Sequence, residues 1–224
     1  MDMHSPVTNT VTPTLETPRP ASLRLGAAAL ALAGLCFLLY PVIRPYSDEK
    51  SLAGAAAIGS NAWIAAHLFA VSGFILVVLG LMAVQAALRT KLMARALVVS
   101  WVGIGLTLPY YGAEVFGLHA IAQRALAEHN PALLELADTV RYNPAAATMF
   151  ASGLILLAIG AIMAAVAIWR SGILSKQSGA VFGVAFAFFL PQFYLSPSLR
   201  MAHGALVLIG CAWITVALWR HPRV

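Results

Sequence analysis

The chain has 224 residues, of which 61% are hydrophobic and 10% charged, with a formal net charge of +6. An ordinary soluble domain carries about 25% charged residues, so this composition excludes one and points to a chain whose solvent is lipid. The positive charge is no nucleic-acid signature: the basic residues cluster at the ends of apolar runs and form no patch or stripe.

Residues 1–22 are rich in Ser, Thr and Pro and have no apolar stretch. They read as a disordered cytoplasmic tail ahead of a membrane domain at 23–220. Six apolar runs follow, at 24–43, 62–88, 92–113, 145–169, 179–195 and 201–219. A helix rising 1.5 Å per residue needs about 20 apolar residues to cross a hydrocarbon core of about 30 Å. Four runs reach that length easily. The last two are shorter and are joined tightly around Pro197. The expected fold class is an all-α, polytopic bundle of six transmembrane helices.

With the N-terminus inside, nine basic residues fall on the cytoplasmic side (Arg19, Arg24, Arg89, Lys91, Arg95, Arg170, Lys176, Arg220, Arg223). Five fall outside (Arg44, Lys50, Arg124, Arg141, Arg200). The positive-inside rule therefore predicts both termini in the cytoplasm of a plasma-membrane protein. All six tyrosines and Trp63 fall at outer helix ends, and Trp169 and Trp219 mark the inner boundary, as interfacial aromatic belts would.

The runs show internal similarity. Ser72-Gly73 recurs as Ser152-Gly153, Gly80 as Gly160 and Gly103 as Gly183, each 80 positions on. The first, third and fifth runs end in aromatic-proline neighbourhoods (Tyr40-Pro41, Pro109-Tyr110-Tyr111, Pro191 with Tyr194). The second and sixth begin with Ala-His, at Ala66-His67 and Ala202-His203. Three pseudo-repeated hairpins around a threefold axis would produce this pattern. Gly73 and Gly80, like Gly153 and Gly160, sit two turns apart on one helix face, where small residues let helices approach closely in lipid. Cys36 and Cys211 lie inside apolar runs and read as packing residues.

The long connection between the third and fourth runs, about 118–142, is amphipathic. Its segments could lie over the outer face as a lid or rest in the headgroup zone.

Ionisable side chains within a bilayer are costly and call for a reason. The candidates are His67, Glu114, His119 and His203. His67 and His203 occupy matching depths on different helices, so they could bind a haem, or join Glu114 and His119 around a metal ion. Positions 114 and 119, however, lie about 140° apart on a regular helix. They share a site only if the helix distorts, which Pro109, Gly112 and Gly117 permit. A cofactor-free alternative makes Glu114, beside Tyr110 and Tyr111, a general acid or base acting on a hydrophobic, lipid-like or isoprenoid molecule. A plainer one pairs Glu114 with Arg200 or Arg141. Arg44, Arg141 and Arg200 come from three different outer connections, and together they could hold a phosphate headgroup or another anion. They are equally compatible with isolated surface charges. A transporter should show broken helices and polar groups near mid-membrane. Here the polar groups gather at one end, with Gln85 and Thr107 as exceptions. An accessory subunit of a membrane complex fits the composition equally well.

The blocks Arg44-Pro45-Tyr46-Ser47-Asp48-Glu49, Leu108-Pro109-Tyr110-Tyr111-Gly112-Ala113-Glu114, Gly117-Leu118-His119-Ala120 and Arg200-Met201-Ala202-His203-Gly204 resemble an uncharacterised family of bacterial six-helix membrane proteins. The resemblance spans most of the chain after residue 23. It implies the architecture and supplies no activity.

Overall fold

The computed structural model describes residues 20–220, and the facts below concern those residues. The expected tail lies outside them, except that residues 20–22 form the first turn of helix α1. Among the described residues the fold is all-helical. Its helices are α1 (Pro20–Ile43), α2 (Leu52–Ile58), α3 (Asn61–Leu88), α4 (Lys91–Gly112), α5 (His119–Ala127), α6 (Glu135–Arg141), α7 (Pro144–Ser171), α8 (Lys176–Ala187) and α9 (Pro197–Trp219). A π-helical segment, Ala113–Leu118, joins α4 to α5. Short 3-10 turns lie at Pro131–Leu134 and Pro191–Tyr194.

Five helical segments are long and apolar enough to cross a membrane: 21–43, 61–88, 91–127, 144–171 and 197–219. Their outward faces carry Leu35, Ile75, Met82, Trp101, Ile155 and Ile162, all exposed. Helices that are apolar all round need a non-aqueous surround. This is the build of an integral membrane protein.

The run at 179–195 folds differently from a plain span. Helix α8 has 12 residues, about 18 Å at the α-helical rise. Pro191 supplies the reason, since it has no N–H to give to the carbonyl four residues back, Ala187, and its ring crowds that carbonyl. The chain beyond Ala187 passes through a turn and the 3-10 segment.

The long helices and α8 form a closed ring in the order α3, α1, α9, α8, α7, α4 and back to α3, with the lightest seam between α3 and α4. Glycines set the spacing. A Cβ on Gly103 or Gly153 would strike the backbone of the facing helix within 2.7 Å, so α4 and α7 touch main chain to main chain. Gly80 is filled by Leu30, Gly73 faces the Phe37 ring, and Gly210 rests on Phe182. Without a hydrophobic drive between helices in lipid, such close approach is what holds them.

A second, small layer covers one end of the ring. It comprises α2, α5, the Pro131–Leu134 turn and α6, around a core of Ala55, Ile58, Leu118, Ala122, Ala125, Leu134 and Ala137 that closes on Trp63. The amphipathic segment at 118–142 therefore packs a core of its own. His119 and Gln123, one turn apart, donate to the carbonyls of Ile58 and Gly59 and so cap the C-terminal end of α2.

Candidate functional site

Beneath that cap, at the open end of the ring, lies a cavity of about 600 Å³. Its wall includes all six tyrosines of the chain (Tyr40, Tyr46, Tyr110, Tyr111, Tyr142, Tyr194), three arginines (Arg44, Arg141, Arg200), two carboxylates (Glu49, Glu114) and His67. Phe150, Phe193, Leu190, Ala147 and Ala151 make its apolar side. The tyrosine positions expected of an interfacial belt thus belong to one cavity. Tyr194 and Tyr142, strongly exposed, stand at its rim.

Four of the charged groups form a chain. Arg141, at the end of α6, donates from Nε to Glu114 Oε1 at 2.7 Å and from Nη2 to Glu114 Oε2 at 3.0 Å. Its Nη1 bonds Glu49 Oε2. Glu49 Oε1 accepts from Arg44 Nη2 at 2.7 Å. This bidentate pairing uses the guanidinium as a fork, the strong form of an ion pair. Trp63 lies under the chain, with the Arg44 and Arg141 guanidinium carbons 4.6 and 5.7 Å from its ring. Its indole N–H donates to the Glu114 backbone carbonyl at 2.8 Å, so one side chain supports both carboxylate and cations.

Local sequence places Glu49. The Asp48 carboxylate accepts from the backbone N–H groups of Lys50 and Ser51, both at 2.9 Å, and those bonds hold its own pKa below the usual carboxylate value. Glu49 takes a left-handed backbone, φ 57°, uncommon for a residue with a Cβ. Gly54 lets the turn close, since a Cβ there would lie 2.7 Å from the Glu49 Cα. Burial pushes the Glu49 carboxyl up, but the charges of Arg141 and Arg44 outweigh it and hold its pKa below the ordinary value. Burial likewise opposes the Arg141 cation, and its bonds to Glu114 together with the charges of Glu114 and Glu49 override this and raise its pKa. Burial raises the Tyr46 hydroxyl's pKa against the opposing pull of Arg200 and Arg44.

Arg200 differs from the other two arginines. It is buried, 8% exposed, at the start of α9. Its Nε donates to Gln192 Oε1 at 3.2 Å, and its guanidinium lies 5.6 Å from the Tyr46 ring and 5.4 Å from the Phe193 ring. No carboxylate pairs with it among the described residues. Two carboxylates therefore face three guanidiniums on this wall, and Arg200 is the surplus cation.

His67 is 2% exposed. Its Nδ1 donates to the Trp63 carbonyl at 2.8 Å. Its Nε2 faces Glu114 Oε2 at 3.9 Å. Around the ring stand Trp63, Tyr40 and Tyr111, at centroid distances of 4.3, 5.3 and 6.2 Å. The Tyr111 hydroxyl is buried beside Tyr40, and Tyr110 stacks on Phe150 at 4.2 Å.

Of the residues singled out in the sequence, Arg44, His67, Tyr110, Tyr111, Glu114, Arg141 and Arg200 meet at this cavity. His119 and His203 do not line it. The helix does distort between 114 and 119, through the π segment, but His119 turns to the Ile58 carbonyl. His203 Nε2 donates to the Ala185 carbonyl at 2.8 Å, in the last turn of the interrupted helix α8. Among the described residues no three of His, Cys, Asp and Glu come together as a metal site. The pairing of His67 with His203 around a haem finds no support either, since His203 is spent on α8. Glu49, Trp63 and Gln192 were not among the candidates. The first lay in a conspicuous block, the second read as a belt residue, and the third had no signal at all.

Ring, cap and cavity together define a multi-pass helical membrane protein with a polar, tyrosine-walled chamber at one end. No protein-family model, curated protein or solved structure matches the chain.

Proposed function

We propose that the protein is a six-span membrane protein with both termini in the cytoplasm, and that its outward-facing cavity binds an amphiphile with an anionic head. Arg200 carries this reading. It is a buried cation without a carboxylate partner among the described residues, on a cavity whose other two guanidiniums are matched by Glu49 and Glu114. A buried charge needs a partner, and an oxyanion entering the cavity provides one. Tyr110 and Tyr142 add hydroxyl donors, while Phe150, Phe193 and Leu190 offer apolar contact for a chain. Both oxygens of Glu114 accept from Arg141. That casts Glu114 as a counter-ion more than an acid or base, and favours binding over the acid–base alternative.

The ring order supports the three-hairpin reading. Each hairpin's first helix (α1, α4, α8) meets the second helix of a neighbouring hairpin (α9, α3, α7), as threefold pseudosymmetry requires. The basic residues Arg24, Arg89, Lys91, Arg95, Arg170, Lys176 and Arg220 fall at the end away from the cavity, and this distribution supports the orientation.

The ligand reading is tested with octyl phosphate, titrated into purified protein in maltoside detergent and followed by calorimetry, with octyl glucoside as the neutral-head control. Octyl phosphate should bind and octyl glucoside should not. A charged hydrogen bond contributes about 1.5–3 kcal/mol, so Arg200→Gln should weaken binding about ten- to hundredfold, and Arg200→Lys should retain part of it. Unchanged affinity in a folded Arg200→Gln protein would overturn the reading. For orientation, Thr139→Cys should react with an impermeant maleimide from outside intact cells and Gln177→Cys should not; the reverse pattern would invert the topology.

A further inference from the structure

The His67–Glu114 contact has an unusual composition. Nδ1 is spent as a donor to a carbonyl, so Nε2 of the neutral ring presents a lone pair. That lone pair faces a carboxylate oxygen at 3.9 Å. Two acceptors face each other with no hydrogen between them, and both residues lie on the cavity wall. A donor atom placed about 2.8–3.0 Å from each would fit across the gap. Glu114 Oε2 has a lone pair to spare, because a carboxylate offers about four acceptor sites and Arg141 takes one on this oxygen.

The group that fits must bring two hydrogens. A hydroxyl has one and satisfies one side only. A primary ammonium has three. Its charge also suits the surround, with Trp63 and Tyr40 rings beside the imidazole. The neighbouring charges Arg44, Glu49, Arg141 and Glu114 balance among themselves, and what they turn towards the gap is an acceptor.

We propose that the ligand is a zwitterion: its oxyanion lies on Arg200 and its primary ammonium bridges His67 Nε2 and Glu114 Oε2. This rests on the anion reading above and narrows it to molecules carrying both groups. A lipid headgroup with a phosphodiester and a primary amine has this chemistry, and so does a free aminoalkyl phosphate.

The test compares dihexanoyl phosphatidylethanolamine with the phosphatidylcholine and phosphatidylglycerol of the same chains, and with free phosphoethanolamine. Phosphatidylcholine keeps the charge pattern and has no N–H; phosphatidylglycerol keeps the phosphate and has no ammonium. Phosphatidylethanolamine should bind at least tenfold more tightly than either. His67→Phe, which keeps a ring in place and removes the acceptor, should abolish that preference and retain phosphate-dependent binding. His67→Gln, which restores an acceptor, should recover part of it. Free phosphoethanolamine binding as tightly as the lipid would keep the proposal and make the source a soluble metabolite. Equal binding of the three lipids, all lost in Arg200→Gln, would overturn the ammonium subsite and leave the anion reading standing. So would tighter binding of phosphatidylglycerol, or a preference unchanged in both His67 variants. Failure of every lipid to bind would overturn both.

Discussion

The two ends of the ring are held by opposite means. At the end away from the cavity and through the middle of the ring, helices meet at glycine: Gly26 on Ala83, Gly80 on Leu30, Gly160 on Ser100, Gly183 on Ala165. At the cavity end no glycine lines the wall. Aromatic and charged side chains dominate it instead, and four of the charged ones are tied together in the chain Arg44–Glu49–Arg141–Glu114. Close contact makes a dry seam with no room for a ligand. The chamber leaves such room, at the cost of burying charge. The fold has a glycine-packed scaffold at one end and a charged chamber at the other, and the two should respond to different perturbations.

The largest effect should come from Arg141. Removing one partner of a buried ion pair leaves an uncompensated charge and costs about 3–5 kcal/mol. Arg141→Met strands Glu114 and leaves Glu49 with Arg44 alone, so it should lower the thermal unfolding temperature in detergent more than any other single cavity variant. The double variant Arg141→Met, Glu114→Gln removes the charged pair, keeps Arg44 on Glu49, and should recover much of the loss, because a neutral replacement of a buried ion pair is often near-neutral. If the double variant is no more stable than the single one, charge is not what the cap depends on. Acid should act through the same chain. Glu49 has a folded pKa below its ordinary value, and the unfolded value of a glutamate is about 4.3. The stability it contributes is therefore present above that unfolded value and lost as pH falls through the depressed folded value. The melting temperature should hold from neutral pH to about pH 5 and fall below it, with a shallower fall in Glu49→Gln.

The glycine seam should respond next, and to volume alone. A Cβ on Gly153 would lie 2.5 Å from Thr107 Oγ1 and 2.7 Å from the Gly103 carbonyl oxygen. Gly153→Ala must push α4 and α7 apart, an overpacking cost of about 1–3 kcal/mol. Gly105, on the same helix α4, has nothing within 4 Å of such a Cβ. Gly105→Ala should be neutral or gain up to about 1 kcal/mol from helix propensity. Thermal melts of the two alanine variants at neutral pH check this, and equal effects would mean that the close approach of α4 and α7 does not hold the ring.

The sequence was readable for depth and much less for direction. Apolar length and arginine placement set the level of each group in the helices, so Arg44, His67, Glu114 and Arg200 could be grouped at one level before any fold was known. Which way a side chain faces depends on packing. The six tyrosines are the clearest case, since their depth suits an interfacial belt equally well, yet all of them line one chamber. Glu49 escaped notice because its role depends on a left-handed turn and on Arg141 arriving from 92 residues away. The π segment was foreshadowed by Pro109, Gly112 and Gly117. Its outcome was not, because only the packing of α5 on α2 decides that His119 caps a helix end. The fifth apolar run shows the same limit. Its composition suits a span, while Pro191 within it stops the helix at 12 residues.

The histidines give the finest test of this division. His67 and His203 begin corresponding helices in the two Ala-His motifs and lie at similar depth. His67 faces the cavity. His203 faces α8, and its Nε2–H satisfies the Ala185 carbonyl. In an unbroken helix that oxygen would accept from Phe189 N–H, but this N–H is turned to Phe186 instead. His203 therefore repairs the interruption that Pro191 makes, and its ring packs edge-on against Phe189 at 5.4 Å. His203→Phe preserves the ring and removes the donor. It should cost about 1–3 kcal/mol, the range for a buried polar group left unsatisfied and towards its lower end here, because the group is a neutral carbonyl. Octyl phosphate affinity should stay within about twofold, an energy difference below 0.5 kcal/mol. A tenfold loss of affinity in a variant that still melts cooperatively would draw His203 into the ligand site and erase the distinction between the two histidines. Unchanged affinity with a lowered melting temperature would fix it as the cap of a broken helix. The polar groups of α9 would then divide by position, Arg200 serving the cavity and His203 the helix beside it.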